Sequence, residues 1–162
     1  MSPRRRRADA AKSGGPPSSP HPHTVRTIEL EIPNDVREIE RVVELVRREC
    51  EAMQFGPHQL TLNVPVALTE ALSNAILRGN RDDPRKRVRV HARVDRVTLV
   101  IEVTDEGPGF DIEECTLDPR TPEHLLSEEG RGLFLMQKLM DSVERFAGRP
   151  GNVVRLTLRR AS

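Results

Sequence analysis

Cysteine is scarce in the 162-residue chain: Cys50 and Cys115 are the only two. They cannot form a disulfide framework or a four-thiolate zinc site. Aromatic residues make up 2% of the chain, four Phe with no Trp and no Tyr. A protein that stacks nucleobases on aromatic platforms is therefore not expected, which argues against direct nucleic-acid binding. No uninterrupted run of about 18 apolar residues occurs, so no membrane association is expected. A signal-peptide pattern is missing from the start, and the expected compartment is the cytoplasm. Net charge is nearly absent too, with 26 Lys+Arg against 25 Asp+Glu giving +1.

That balance hides an uneven split. Residues 1–26 hold six basic side chains and one acid, leaving 20 basic and 24 acidic residues in the remainder. Five of the 13 prolines fall within residues 1–22, among Ser and Gly and few large apolar groups. Such a segment cannot bury enough surface to offset its ordering entropy. Residues 1–24 read as a disordered, basic, Pro/Ser-rich tail and 25–162 as one domain.

Within the domain, Ile28, Leu30 and Ile32 alternate on one face of a strand that Pro33-Asn34-Asp35 ends. Val36, Ile39, Val43, Val46, Cys50 and Met53 then predict a helix over about 35–54 with Asp35 at its N-cap. A second helix, about 65–78, carries Pro65 in its first turn. Val88 to Val94 and Val97 to Val103 alternate as two strands. A two-residue turn, Asp95-Arg96, would set Val94 opposite Val97 and Ala92 opposite Leu99. A long irregular stretch, about 106–129, precedes a helix near 131–141 and strands near 142–147 and 152–159. The order β-α-α-ββ-loop-α-ββ predicts an α+β, two-layer α/β sandwich: a mixed, mostly antiparallel sheet covered on one face by helices.

Three places hold residues that suit chemistry rather than packing. Glu70 and Asn74 are four apart, so they share one face of an otherwise apolar helix. Such a pair needs polar partners, which a divalent cation, a polar ligand or water would supply. Asp105 continues the buried phase of its strand and runs straight into Gly107-Pro108-Gly109, where backbone is free to approach a ligand. Gly130-Arg131-Gly132 opens the last helix, and exposed N–H groups at a helix start suit phosphate. The P-loop signature and the long dinucleotide fingerprint are both absent.

With these three segments in this order, the chain resembles the GHKL ATPases of the Bergerat fold, and among them the anti-sigma-factor serine kinases. Glu70-Ala71-Leu72-Ser73-Asn74-Ala75 is similar to that family's N box. Asp105-Glu106-Gly107-Pro108-Gly109-Phe110 is similar to its first glycine box, and Gly130 to Met136 to its second. The resemblance implies that ATP and Mg²⁺ are the cofactors. It implies Asn74 as Mg²⁺ ligand, Glu70 as general base, and Asp105 as acceptor from the adenine amino group, with Gly107 and Gly109 under the base. Gly130, Arg131 and Gly132 would close around the phosphates, and residues about 111–129 would form a lid. The implied partners are a STAS-type anti-anti-sigma protein, phosphorylated on Ser, and a sigma factor, with a homodimer as a further assembly. A nucleotide-dependent binding module that transfers no phosphate is the alternative. Arg78 stands where family members often have His. A two-component histidine kinase is disfavoured, because His21 and His23 sit beside prolines in the tail.

Overall fold

Alternation at Ile28, Leu30 and Ile32 does build a strand, β1 (Arg26–Pro33), with Ile32 fully buried. A computed structural model describes residues 24–108 and 128–161; all but the last residue of the expected tail, Gly109 and all but the last two residues of the expected lid lie outside them. After β1, Asp35 accepts the Arg37 N–H at 2.9 Å and caps a short 3₁₀ turn, Val36–Glu38, that leads into helix α1 (Ile39–Ala52). Tighter winding in that turn shifts the apolar stripe. Val36 is exposed, and the buried face of α1 is Ile39, Val42, Val46 and Cys50 rather than the predicted row through Val43.

The second helix starts earlier than its apolar pattern suggests. A helical run begins at Pro57, and α2 (Val64–Asn74) lies between two wide turns, Gln59–Asn63 and Ala75–Gly79. Val64 N–H reaches back five residues to Gln59 O. Pro65 follows inside the run and has no N–H to give, so the widened turn absorbs the missing bond and the bulk of its ring. Gln59–Gly79 is 21 residues long with mean hydropathy 1.3, enough by length and composition alone to cross a bilayer. Its Val64, Leu68, Leu72 and Ile76 are instead fully buried in the protein core. Each such side chain contributes about 1.5–3 kcal/mol of burial.

β2 (Arg87–Val94) and β3 (Thr98–Thr104) form the predicted hairpin, but in a register two residues away from the expected one. Val94 pairs with Leu99, Ala92 with Ile101 and Val90 with Val103. A two-residue type I′ turn needs positive φ at both centres, and neither Asp95 nor Arg96 takes it. Asp95 Oδ1 instead accepts the N–H groups of Val97 (2.7 Å) and Thr98 (2.8 Å), so Val97 leaves the strand and is exposed. A shift of two keeps every apolar residue on its face.

Helix α3 (Glu128–Leu139), β4 (Ser142–Ala147) and β5 (Asn152–Arg159) complete the described chain. The sheet runs β1-β2-β3-β5-β4 and each of its four ladders is antiparallel. The inward rows, including Val90, Ile101 and Leu156, are buried beneath the helices, and α1 and α3 both pack against α2. The outward face carries charged rungs such as Glu31–Arg87 at 2.9 Å and Arg155–Glu144 at 3.2 Å. This is the expected two-layer α+β sandwich.

Candidate functional site

Glu70 and Asn74 project from the regular stretch of α2 toward α3, both part-buried. Facing them is Gly132, where a methyl group would lie 2.8 Å from Glu70 Oε2 and 3.4 Å from Asn74 Nδ2. Between the two helices a cleft of about 570 Å³ opens, lined by Glu70, Ser73, Asn74 and Arg78 on one side and Arg131 and Gly132 on the other. Small-molecule sites span roughly 300–1,000 Å³. One carboxylate, one carboxamide and two guanidiniums therefore share one open cleft.

The position of Gly130 and Gly132 differs from the sequence expectation. α3 already includes Glu128, so both glycines lie within its opening turns rather than ahead of it. Gly132 lies in close approach to Glu70 and Asn74.

Asp105 is 6% exposed, as its strand phase predicts. Its Oδ1 accepts three hydrogen bonds, from Gly107 N (2.8 Å), Asn152 N (3.2 Å) and Asn152 Nδ2 (3.1 Å). The other oxygen, Oδ2, lies against Gly79, where no Cβ could fit, and Gly107 in turn rests on the Gly79 carbonyl. Gly79 follows Asn74 by five residues at the end of the same helical run, which places Asp105 against the exit of the helix that carries Glu70 and Asn74. Asp105 and Gly107 do not line the cleft itself. The structure thus gathers Glu70, Asn74, Arg131 and Gly132 in one group, and Asp105 with Gly107 in a second beside it.

Three asparagines missing from the sequence expectation hold the second group. Asn152, 5% exposed, donates to Asp105 Oδ1 and, at 2.9 Å, to Pro108 O. Its own Oδ1 is buried with no hydrogen-bond partner among the described residues. Asn80, fully buried, accepts Glu106 N–H at 2.7 Å and donates to Asn34 Oδ1 and Arg87 O, each at 2.9 Å. Asn34 Nδ2 donates to Ile76 O (3.2 Å) and Asp83 O (3.0 Å). In the sequence, Gly79-Asn80 reads only as a helix stop and Asn34 as part of a turn. No signal in one chain marks them as partners across 46 residues.

A polar, glycine-walled cleft between two helices over an antiparallel sheet, with a buried aspartate beside it, is consistent with a Bergerat-type ATPase fold. The chain belongs to the histidine kinase-like ATPase domain family, whose match covers residues 32–158. Relatives of this chain include serine-protein kinases and anti-sigma factors. It is 37% identical over 86 residues to the serine-protein kinase RsbW of Bacillus subtilis (strain 168), covering 50% of this chain and 54% of that protein. It is 38% identical over 101 residues to the anti-sigma F factor of Heyndrickxia coagulans, covering 60% and 68%. The anti-sigma F factor of Halalkalibacterium halodurans is 32% identical over 82 residues, covering 50% and 56%. With the Bacillus and Halalkalibacterium proteins, the matched stretch is only about half the length of the relative.

Proposed function

We propose that the chain is a cytoplasmic, ATP- and Mg²⁺-dependent serine protein kinase of a partner-switching pathway, which phosphorylates a STAS-type anti-anti-sigma protein and sequesters a sigma factor. The observation that carries this reading is the placement of Glu70 and Asn74 across the cleft from Arg131 and Gly132, with Asp105 at the exit of the same helical run. Similarity to RsbW and anti-sigma F factors supports the choice of partners.

The residues present suit both cofactors. No cluster of three or more His, Cys, Asp or Glu side chains fit to hold a metal occurs among the described residues. Mg²⁺ does not require one, because it keeps several waters and is held by one or two protein ligands plus substrate phosphates. Asn74 Oδ1 is the protein ligand in this reading. Arg78 and Arg131, both exposed at the cleft, supply positive charge for the phosphates. With Oδ1 of Asp105 taken by three donors, Oδ2 is the oxygen left to accept the adenine amino group.

Magnesium-bound ATP supplies the phosphoryl group. The partner's serine oxygen forms the new bond to the γ-phosphorus as the bond to the β-phosphate oxygen breaks, and ADP departs. Glu70 takes the serine proton, and Arg131 offsets charge on the phosphoryl oxygens; Asn74 would hold Mg²⁺, which would supply further charge neutralisation there. Arg78, in place of the family's frequent His, favours a second reading, an ATP-dependent binding module without transfer. Labelled ATP, Mg²⁺ and a STAS partner decide between them. Label on the partner's serine supports the kinase; ATP-dependent complex formation with no label supports the module.

A further inference from the structure

A second position beside the base site stands out because its residue type has no conformational reason. Asn directly after a helix is common because it tolerates the left-handed region. Asn80 is not in that region: its φ is −85, and the positive φ angles of the turn fall on the next two residues, Arg81 (52) and Asp82 (54). Its backbone does what many residues could do, while its side chain is fully buried and fully engaged.

Each bond fixes part of the surroundings. The donor side of the amide holds Arg87 O, at the start of β2, and Asn34 Oδ1, at the end of β1. Asn34 is itself pinned by Ile76 O and Asp83 O, so neither amide can turn over without losing its donors' acceptors. The remaining oxygen, Asn80 Oδ1, therefore has a fixed direction, and it receives the N–H of Glu106 at 2.7 Å. That N–H belongs to the peptide joining Asp105 to Glu106, its nitrogen two bonds from the aspartate's own Cα. On the opposite side, Asp105 N–H goes to Asn152 O at 3.0 Å. The aspartate is thus held from two directions, by β5 and by the exit of the helix that bears Glu70 and Asn74.

We infer that Asn80 is a positioning residue for base recognition: through Glu106 N–H it sets the orientation of Asp105 Oδ2 relative to the helix that carries the phosphate-side residues. This rests on the nucleotide reading above. Asn80 need not touch the nucleotide. Its loss leaves the Glu106 N–H without its acceptor and lets the Asp105–Gly107 segment shift away from Gly79, which weakens the contact to the base and leaves the phosphate end as it was.

Calorimetry on the full chain with three ligands separates these effects: ATP, purine riboside triphosphate, which lacks only the 6-amino group, and tripolyphosphate, which lacks the base. For the unaltered protein, ATP should bind at least tenfold more tightly than purine riboside triphosphate. If it does not, the assignment of Asp105 fails and not merely that of Asn80. In Asn80→Ala the ratio should fall at least fivefold while tripolyphosphate affinity stays within twofold. Asn34→Ala is the control, because it removes buried hydrogen bonds while Arg87 O still holds the Asn80 amide and Asn80 Oδ1 still meets Glu106 N–H, and it should lower the melting temperature while keeping the ratio. An unchanged ratio in Asn80→Ala, or an equal loss in Asn34→Ala, overturns the inference. Asn80→Ser, too short to reach Glu106, replaces Asn80→Ala if the latter does not fold. If neither folds, Asn80 is a stability element and the inference is wrong.

Discussion

Gly132 of α3 approaches Glu70 of α2 so closely that a methyl group in its place would lie 2.8 Å from Glu70 Oε2. The atom in the way is the end of a flexible side chain, so the carboxylate can move aside, and the backbone need not. Alanine within a helix is also favoured over glycine by about 1 kcal/mol. Gly132→Ala is therefore expected to melt at the same temperature or a few degrees higher, while phosphoryl transfer falls at least tenfold. Scanning calorimetry beside a labelled-ATP assay checks both halves; unchanged transfer would show that the position of Glu70 does not matter.

Glu70 and Asn74 should fail differently. Glu70→Gln keeps the shape of the side chain and removes the base, so transfer drops by roughly 10²–10⁴ with ATP affinity nearly unchanged. Asn74→Ala removes the proposed Mg²⁺ ligand, so the gain in ATP affinity on adding Mg²⁺ should shrink. Titrations with Mg²⁺ and with EDTA measure that gain directly.

Asp105→Asn should retain the fold and lose the nucleotide. Three donors converge on Oδ1, so the amide oxygen of the variant must occupy that place. Its NH₂ then stands where Oδ2 was, presenting a donor to the adenine amino group. Loss of a charge-assisted hydrogen bond of about 1.5–3 kcal/mol corresponds to a tenfold or greater fall in ATP affinity by calorimetry. An affinity equal to that of the unaltered chain would remove Asp105 from base recognition.

Cys50 gives a prediction about alkaline pH. Burial in the core pushes its thiol up to about 12, from an ordinary value of 9.0. Above pH 9 the unfolded thiol ionises while the folded one keeps its proton, so this group lowers stability as pH rises from 9 toward 12. The slope is at most about 1.4 kcal/mol per pH unit. Urea unfolding at pH 8 and pH 10, in Cys50→Val and in the unaltered chain, should show the smaller loss in the variant. In a Cys115→Ser background, the folded protein should also resist thiol reagents at pH 8 until denaturant is added.

How much of this was readable in advance depended on whether the cause was local. The strand alternation of Ile28 to Ile32 and the buried phase of Asp105 follow from a period of two, and both persist in the structure. Spacing of four likewise placed Glu70 and Asn74 together. The hairpin register was missed because an Asp95 side chain captured two N–H groups, a competition that strand alternation alone cannot reveal. The early start of the second helix was hidden by its prolines, since a widened turn lets Pro65 sit inside a helical run. The Asn34–Asn80 pair depends on β1 meeting the end of a helix 46 residues later, and residue type at either position carries no trace of it.

The position of β5 has a temporal consequence. Although it comes last of the five described strands, it lies between β3 and β4 in the sheet. Until residues 152–159 emerge from the ribosome, β3 has an open edge and Asp105 lacks both donors of Asn152. Glu70, Asn74 and Gly132 are synthesised before that point. A nascent chain halted before Asn152 therefore carries the residues proposed for the phosphate side while Asp105 keeps only the Gly107 donor, so in the proposed reading the base-side half of the site is completed late.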